Sequence, residues 1–383
     1  MAEKKKQHYV PKFYMKNFAD DRNNVAVYNI KTQKTISDIP FDSQCYKDYF
    51  YGKDHIIEDA FAERETQWSN LLTKIIESKQ LSDEDILQLK RFALYQRQRT
   101  AGETEYHREE RKELYIKLAK DYYNKRGDSF DSEIEKACRD YANQSVSPIE
   151  MVAFADILSS IIDDLELLII TYKTKNKLIF SDVPVISINP FHKFSIGYSC
   201  VGLIMMFPIT PSKLIVLYDS KMYPKYMGKR YINLTNENEV KVLNIFQFLS
   251  AEKTIYAHNS VDFPVFTADN WKQRSLNRDT KKIQSLGATG NEIIQFSMRQ
   301  TFLDCTLSFG MLSERVKRIP FVCKEAFPRH FEQKWHEKLM NKIEVMSFMA
   351  ENRPDVFKGL TKKEVRKGCK DMFDFAVDYW RKQ

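Results

Sequence analysis

Two helical stripes carry polar groups where apolar side chains belong. Between residues 55 and 79, Phe61, Glu65, Trp68 and Leu72 follow i, i+4, i+7, i+11 spacing, which puts the glutamate inside the face that turns to the core; Glu58, one heptad earlier, flanks the same stripe. On the next helix Leu89, Phe92, Gln96 and Arg99 repeat the pattern, the last two continuing an apolar face in polar form. An unpaired buried carboxylate is costly and tends to neutralise, whereas a guanidinium offers it a fixed fork of donors. Consecutive helices with a short connection usually pack as neighbours, so a contact between Glu65 and Arg99 is expected. It has two readings: a structural ion pair between helices, or the polar floor of a pocket in which Arg99 stabilises developing negative charge and Glu65 orients or activates a nucleophile.

Three more places offer chemistry. "QHYVPKFYMKNF", residues 7–18, sets His8 among Tyr9, Pro11, Phe13 and Tyr14, as an anchored strip laid over the domain. The imidazole is either a general acid or base, or is satisfied by a backbone carbonyl. In "IFSDVP" an apolar strand runs into Ser181 and Asp182, and Pro184 holds the preceding residue extended, so pairing stops where a hydroxyl and a carboxylate arrive. These are catalytic or binding groups, or a turn that satisfies its own backbone. Asn244 and Gln247, one helical turn apart among Val242, Ile245, Phe246 and Leu249, are either binding amides or the exposed face of their helix. Mg2+ is a candidate cofactor through Glu58, Glu65 and Asp182, since hard cations prefer oxygen ligands, although no compact D-x-D motif is present.

The elements that must position these groups follow from periodicity. Alternation in "VAVYNIKTQKTI" predicts a hairpin over residues 25–36. Helices are expected at about 55–79, from a Ser82 cap to about 103, at 105–126 and 132–144, and from Pro148 towards Leu165. The surface stretch "EYHREERKELYIKLAK" reads as a solvated helix. The Ile- and Val-rich runs "LLIITYKT", "KLIFSDVPVISI", "GLIMMFPIT" and "KLIVLYD" read as buried strands. A helix over 237–251 with Asn236 and Glu239 as a capping box then leads into the strand "KTIYAH". "EIIQFSM" with "LSFGMLS" is expected to add a strand pair, and helices to follow at "FEQKWHEKLMNKIEVMSFM" and from Thr361. The fold class is α+β: an N-terminal hairpin and helical bundle packed on a mostly antiparallel or mixed sheet, with C-terminal helices. Residues 1–260 form one unit, and 261–383 a strand pair and helices packed on the same domain.

Composition narrows the classes. The formal charge of +8 is uneven: residues 1–16 hold five lysines against one acid, residues 314–383 hold seventeen basic groups against eleven acids, and the middle is slightly acidic. That excludes a uniform basic groove for duplex nucleic acid while leaving basic ends for an anionic partner. Six cysteines stand singly, without zinc or redox spacing, and read as reduced thiols. The N-terminus shows no apolar signal region and the apolar runs are too short to cross a bilayer, so no membrane partner and a cytoplasmic location are expected.

The ordered set "QHYVPKFYMKNFA", "IIEDAFAERETQW", "LYQRQR", "LIFSDVPV", "MFPITPSKLIVLY" and "NIFQFLSAEKTIYA" resembles a bacterial family known only as domain of unknown function 4238, over roughly residues 7–258. The resemblance implies that His8, Glu58, Glu65, Gln96, Arg99, Ser181, Asp182, Pro208 and Asn244 occupy the family's signature positions; it implies no reaction. Two departures are Val183, where a small polar residue such as asparagine is usual, and Met15 in place of leucine.

The resulting expectation is a hydrolase or transferase acting on a phosphate-bearing substrate, with nucleic acid or a nucleotide as partner. His8, Glu65, Arg99 and Asp182 would be catalytic, and Glu58, Gln96, Ser181 and Asn244 would bind substrate. No phosphate loop or nucleophile elbow accompanies it. The alternatives are a non-catalytic sensor or nucleic-acid or protein-binding module, and a purely structural account in which each buried polar group is paired internally. A setting in bacterial defence against phages is suggested only by the orphan character of the resembling family.

Overall fold

The computed structural model describes residues 5–53, 56–189, 197–198, 200, 202–220, 223–279, 283–286 and 293–296. The chain opens with β1 (Lys6–His8) and a short helix α1 (Lys12–Lys16), then the hairpin β2 (Asn24–Asn29) and β3 (Lys34–Pro40), and β4 (Tyr46–Asp48). Five helices follow: α2 (Ile56–Ile76), α3 (Asp83–Gln98), α4 (Ala101–Arg126), α5 (Ser132–Ser145) and α6 (Pro148–Leu158). The second half alternates β5 (Glu166–Tyr172), β6 (Phe180–Ser181), β7 (Ile186–Ile188), β8 (Ile204–Thr210), β9 (Lys213–Tyr218), β10 (Tyr231–Leu234), α7 (Glu237–Ser250), β11 (Thr254–Ala257) and α8 (Ala268–Asp279), ending in β12 (Ile283–Leu286) and β13 (Ile293–Phe296).

A five-stranded sheet in the order β10-β5-β9-β8-β7 forms the centre, antiparallel except for the β10–β5 pair. Its continuous apolar runs are explained by burial on both faces, because alternate residues serve different cores. Leu167, Ile169, Met205, Phe207, Ile215 and Leu217 pack against Tyr14, Trp68, Leu72, Phe92 and Ala155 of the helical layer, while Leu168, Ile170, Met206, Leu214 and Val216 meet Val240, Leu243 and Phe246 of α7. A second sheet, β3-β2-β11-β6, is antiparallel and shares the other flank of α7 and α8 through Phe248, Leu249 and Trp271. The expected hairpin is therefore present and is completed by the "KTIYAH" strand.

The N-terminal strip is anchored as anticipated. Val10, Tyr14, Met15 and Phe18 are fully buried, and the Tyr14 hydroxyl donates to the carbonyl of Pro208. Pro208 lies in an interior strand, where a missing N–H is tolerated because the β8–β9 register shifts there. Small polar contacts close the helix ends. Ser82 and Asp85 form a reciprocal capping box on α3, and the Lys213 ammonium donates to the carbonyls of Ile75 and Ile76 at 3.2 and 2.7 Å, ending α2.

Some expectations need correcting. The helix expected to run from Ser82 to about 103 stops at Gln98; Thr100 opens α4 by accepting from the Glu103 N–H at 3.2 Å, so a two-residue corner replaces a continuous rod. Asn236 caps α7, but Glu239 does not complete a box, because its carboxylate accepts from the Tyr172 hydroxyl at 3.0 Å. Asn244 and Gln247 are buried, not exposed. Strand Ile293–Phe296 pairs with Ile283–Leu286, while the expected partner "LSFGMLS" and both C-terminal helices lie outside the described residues.

The junction from α7 to β11 is held from two sides. Arg274 of α8 donates to the carbonyl of Ala251 at 2.7 Å and to those of Leu249 and Glu252 at 3.3 Å, capping the helix end. Asp182 accepts from the N–H groups of Glu252, Lys253 and Thr254 at 2.7, 2.8 and 3.3 Å. Removing a buried acceptor of three donors leaves each unsatisfied, so Asp182→Ala is expected to lower unfolding free energy by about 3 kcal/mol, seen as a fall in urea midpoint at unchanged m-value. A midpoint within error of the parent protein would contradict this.

Candidate functional site

The helical pairing anticipated from the two polar stripes is present. Arg99, almost wholly buried, donates through Nη1 to Glu65 Oε1 at 2.7 Å, through Nη2 to the His8 carbonyl at 2.6 Å and through Nε to the Tyr51 hydroxyl at 3.1 Å. Its guanidinium also lies over the Phe61 ring, 4.3 Å from the centroid. Burial works against its charge, but the Tyr51 hydroxyl and the Glu65 carboxylate outweigh it and hold Arg99 above the usual arginine range. Each of its three nitrogens has an acceptor, so it ties β1, the Tyr51 segment, α2 and α3 together.

His8 belongs to the same knot through its backbone. Its side chain turns the other way, with Nε2 donating to the Asp42 carbonyl at 2.9 Å and the ring 5.5 Å from that of Tyr46. Burial pushes this imidazole below its ordinary value, which fits a neutral ring protonated at Nε2. Gln7 closes the arrangement by donating to the Gly52 carbonyl at 2.9 Å and accepting from Tyr51 N–H at 2.6 Å. Gln96 donates to the Tyr9 carbonyl at 3.1 Å, and its Oε1 is buried without a hydrogen-bond partner among the described residues. Glu58 sits in the first turn of α2, where the backbone but not the side chain is described.

Ser181, Asp182 and Asn244 gather at a different place, along the seam between the two sheets. The Ser181 hydroxyl donates to Gln247 Oε1 at 2.8 Å, the Gln247 amide donates to the Pro184 carbonyl at 2.9 Å, and Asn244 accepts from Ile179 N–H at 3.1 Å while donating to the Lys177 carbonyl at 2.8 Å. Two amides of α7 thus stand in for a missing neighbouring strand. Burial pushes the Asp182 carboxyl up, opposed by the backbone N–H groups it accepts from. Tyr9 is the link between the groups: its carbonyl meets Gln96 and its hydroxyl lies within electrostatic range of Asp182 and Cys45.

A third cluster, built at the α3–α4 corner, was not singled out from the sequence. Arg97 and Glu103 are both fully buried, with Arg97 Nε 3.4 Å from Glu103 Oε2 and Arg97 Nη1 donating to the Val185 carbonyl at 2.7 Å. Glu103, His107 and Glu110 share one face of α4 at i, i+4 and i+7. His107 Nδ1 is 2.8 Å from Glu110 Oε2, and Nε2 is 3.6 Å from Glu103 Oε1. Burial alone would lower the imidazole, but bonds to Glu103 and Glu110 raise it to about 9. Beside them Gln98 donates to the Tyr198 hydroxyl at 3.0 Å, and its Oε1 is buried with no hydrogen-bond partner among the described residues. The i, i+4, i+7 stripe of Glu103, His107 and Glu110 is legible in "GETEYHREE", but charge density disguises it as a solvated face. Glu110 and Leu114 are in fact buried.

The described chain is thus an α+β protein whose central sheet carries a buried, charged helical corner. It belongs to the family described as "Protein of unknown function (DUF4238)", whose model matches residues 6–261. No curated protein and no solved structure matches it. Among the described residues no group of three or more His, Cys, Asp or Glu is placed to hold a metal ion, and no helix is long and apolar enough to cross a membrane.

Two expectations test this geometry. Arg99→Lys keeps the charge but cannot reach Glu65, Tyr51 and the His8 carbonyl together, and should cost about 3 kcal/mol of stability by urea unfolding, against about 1 kcal/mol for Glu65→Gln, whose side chain is 27% exposed. His107 has a folded-state value raised from 6.5 to about 9, so its stabilisation is complete below 6.5 and is lost as pH rises through about 9. The stability difference between the parent protein and His107→Gln should accordingly be on the order of 2 kcal/mol at pH 6 and shrink by pH 10. A difference independent of pH would show that the imidazolium is not paired as described.

Proposed function

We propose that the protein is a hydrolase or transferase acting on a phosphate-bearing substrate, with its reacting groups at the Arg97–Glu103–His107 corner. The observation that carries this reading is His107, an imidazolium still 24% exposed, held between two carboxylates that are 0% and 1% exposed. At neutral pH such a ring is protonated and can give a proton to a departing oxygen. Its Nε2 contact with Glu103, at 3.6 Å, is the looser of the two, so that proton is the one available. Water attacking phosphorus would form the new P–O bond as the ester P–O bond breaks and the leaving oxygen takes the Nε2 proton, while the proton shed by the attacking water returns to the ring. Glu103, held by Arg97, would then favour reprotonation of the ring. Arg99 and Glu65 act in this reading as the support that fixes the corner.

A second reading, a non-catalytic binding module, is favoured by Gln98: a buried carbonyl oxygen without a partner among the described residues suits a ligand that brings a donor. One experiment separates the two. Purified protein is offered RNA, DNA and nucleotides with and without Mg2+, beside His107→Gln, and product and melting temperature are both read. Catalysis predicts turnover that falls by about 100-fold or more in His107→Gln while melting shifts by only a few degrees. Turnover undiminished in that variant overturns the assignment. Ligand-induced stabilisation without product selects the binding module.

A further inference from the structure

Two buried polar atoms beside Arg97 are left without a hydrogen-bond partner among the described residues: Gln98 Oε1 and Ser187 Oγ. Gln98 is 3% exposed and Ser187 0%, so bulk water does not satisfy either. A group stranded in this way costs free energy and calls for a reason. Gln98 follows Arg97 in the chain, and its Nε2 donates to the Tyr198 hydroxyl at 3.0 Å. That hydroxyl is also bonded to the Arg97 side chain. Tyr198 is itself held in a tight turn, where the Cys200 N–H donates to the Gly197 carbonyl and the Gly197 N–H to Cys200 Sγ, both at 3.2 Å. One end of the Gln98 amide is thus fixed, and its acceptor end is unused.

Ser187 reaches the same place from the sheet. It stands on β7, the last strand of the central sheet, between Ile186 and Ile188, which pack towards α7. Val185 packs into the helical layer, as does Met205, the residue opposite Ser187 in the β7–β8 ladder. Alternation therefore points the Ser187 hydroxyl towards the helical layer. Arg97 Nη1 donates to the Val185 carbonyl at 2.7 Å, and two residues along a strand advance by about 7 Å, so Ser187 lies one pleat from the backbone that Arg97 grips. Packing alone gives no reason for a hydroxyl at a position that faces apolar neighbours. From Arg97 the line of contacts continues to Glu103 at 3.4 Å and on to His107 at 3.6 Å, where solvent reaches the cluster.

An amide oxygen only accepts, whereas a serine hydroxyl donates or accepts. Their complement is an N–H donor beside a lone pair. Adenine and cytosine present that pattern, an exocyclic amine next to a ring nitrogen. We propose that Gln98 and Ser187 form a subsite for an amino-bearing nucleobase, with Gln98 Oε1 accepting from the amine and the Ser187 hydroxyl donating to the ring nitrogen. The proposal deepens the phosphate-substrate reading above and rests on it for the other half of the ligand, since a nucleotide carries both such a base and a phosphate ester. A buried acceptor built to hold an amine rejects an analogue without one, because the acceptor is then left stranded.

The test uses the full chain and calorimetry with matched probes: ATP against purine riboside triphosphate, and CTP against 2-pyrimidinone riboside triphosphate, each pair differing only by the amine. The parent protein is expected to favour the amine-bearing member of at least one pair by about tenfold or more. Gln98→Met keeps the side-chain length but removes the acceptor, and should bring that ratio close to one. Ser187→Ala should weaken the favoured nucleotide by about threefold to tenfold. The ratio in the parent protein is read without any variant, so it stands even where a substitution lowers the melting temperature. The proposal falls if the parent protein binds none of the four probes, if it binds both members of each pair equally, or if the ratio survives in Gln98→Met. Adenosine and purine riboside, which lack phosphate, keep the two readings apart. Gln98-dependent preference for adenosine in a protein that turns over no phosphate ester sinks the catalytic assignment and leaves the base subsite standing, whereas turnover indifferent to the amine does the reverse.

Discussion

The α3–α4 corner places two guanidinium groups, Arg97 and Arg99, in the interior within three residues of one another, and much of the neighbouring structure exists to surround them. A buried charge is stable only where acceptors replace its water, and the acceptors come from remote parts of the chain. For Arg99 they are the carbonyl of His8, the hydroxyl of Tyr51 and the carboxylate of Glu65; for Arg97 they include the carbonyl of Val185 and the neighbouring carboxylate of Glu103. One corner thus fastens the N-terminal strip, the first long helix and the central sheet to a single point. Thr100, which starts α4, is what turns the chain so that both arginines face inward.

The seam between the two sheets is solved by a different device. Residues 177–184 have one strand neighbour, β11, and their other edge is met by side chains of α7 instead of by a further strand. Asn244 supplies an acceptor and a donor in the places a neighbouring backbone would fill, and Gln247 with Ser181 continues the line. Asp182 extends the same principle to the turn before β11, which Arg274 caps from the opposite side. These contacts make "IFSDVP" a structural joint.

The two carboxylate arrangements differ in which partner water reaches: the acid, Glu65, in one and the imidazole, His107, in the other. Glu65 answers a guanidinium whose nitrogens all have acceptors, so little chemistry is left to that pair. Glu103 and Glu110 hold an imidazolium that solvent still touches, and an ionised group at such an edge can exchange a proton.

By itself the sequence determined the α+β class, the hairpin, most helix and strand positions, the Ser82 cap, the contact of Glu65 with Arg99, and membership of the family. Family membership rests on the ordered set of short motifs that resembles it; the others follow from local periodicity, from capping chemistry, or from the rule that consecutive helices pack. Tertiary structure decided what the polar residues do. His8 turns to Asp42 although its carbonyl meets Arg99; Asp182 spends its oxygens on residues 252–254; and Arg97, Glu103 and His107 become a cluster only because the chain bends at Arg99 and Thr100. The physical reason is that a side chain's periodicity tells which way it leaves its own element, while the partners of a buried polar group are chosen by which distant backbone arrives opposite it.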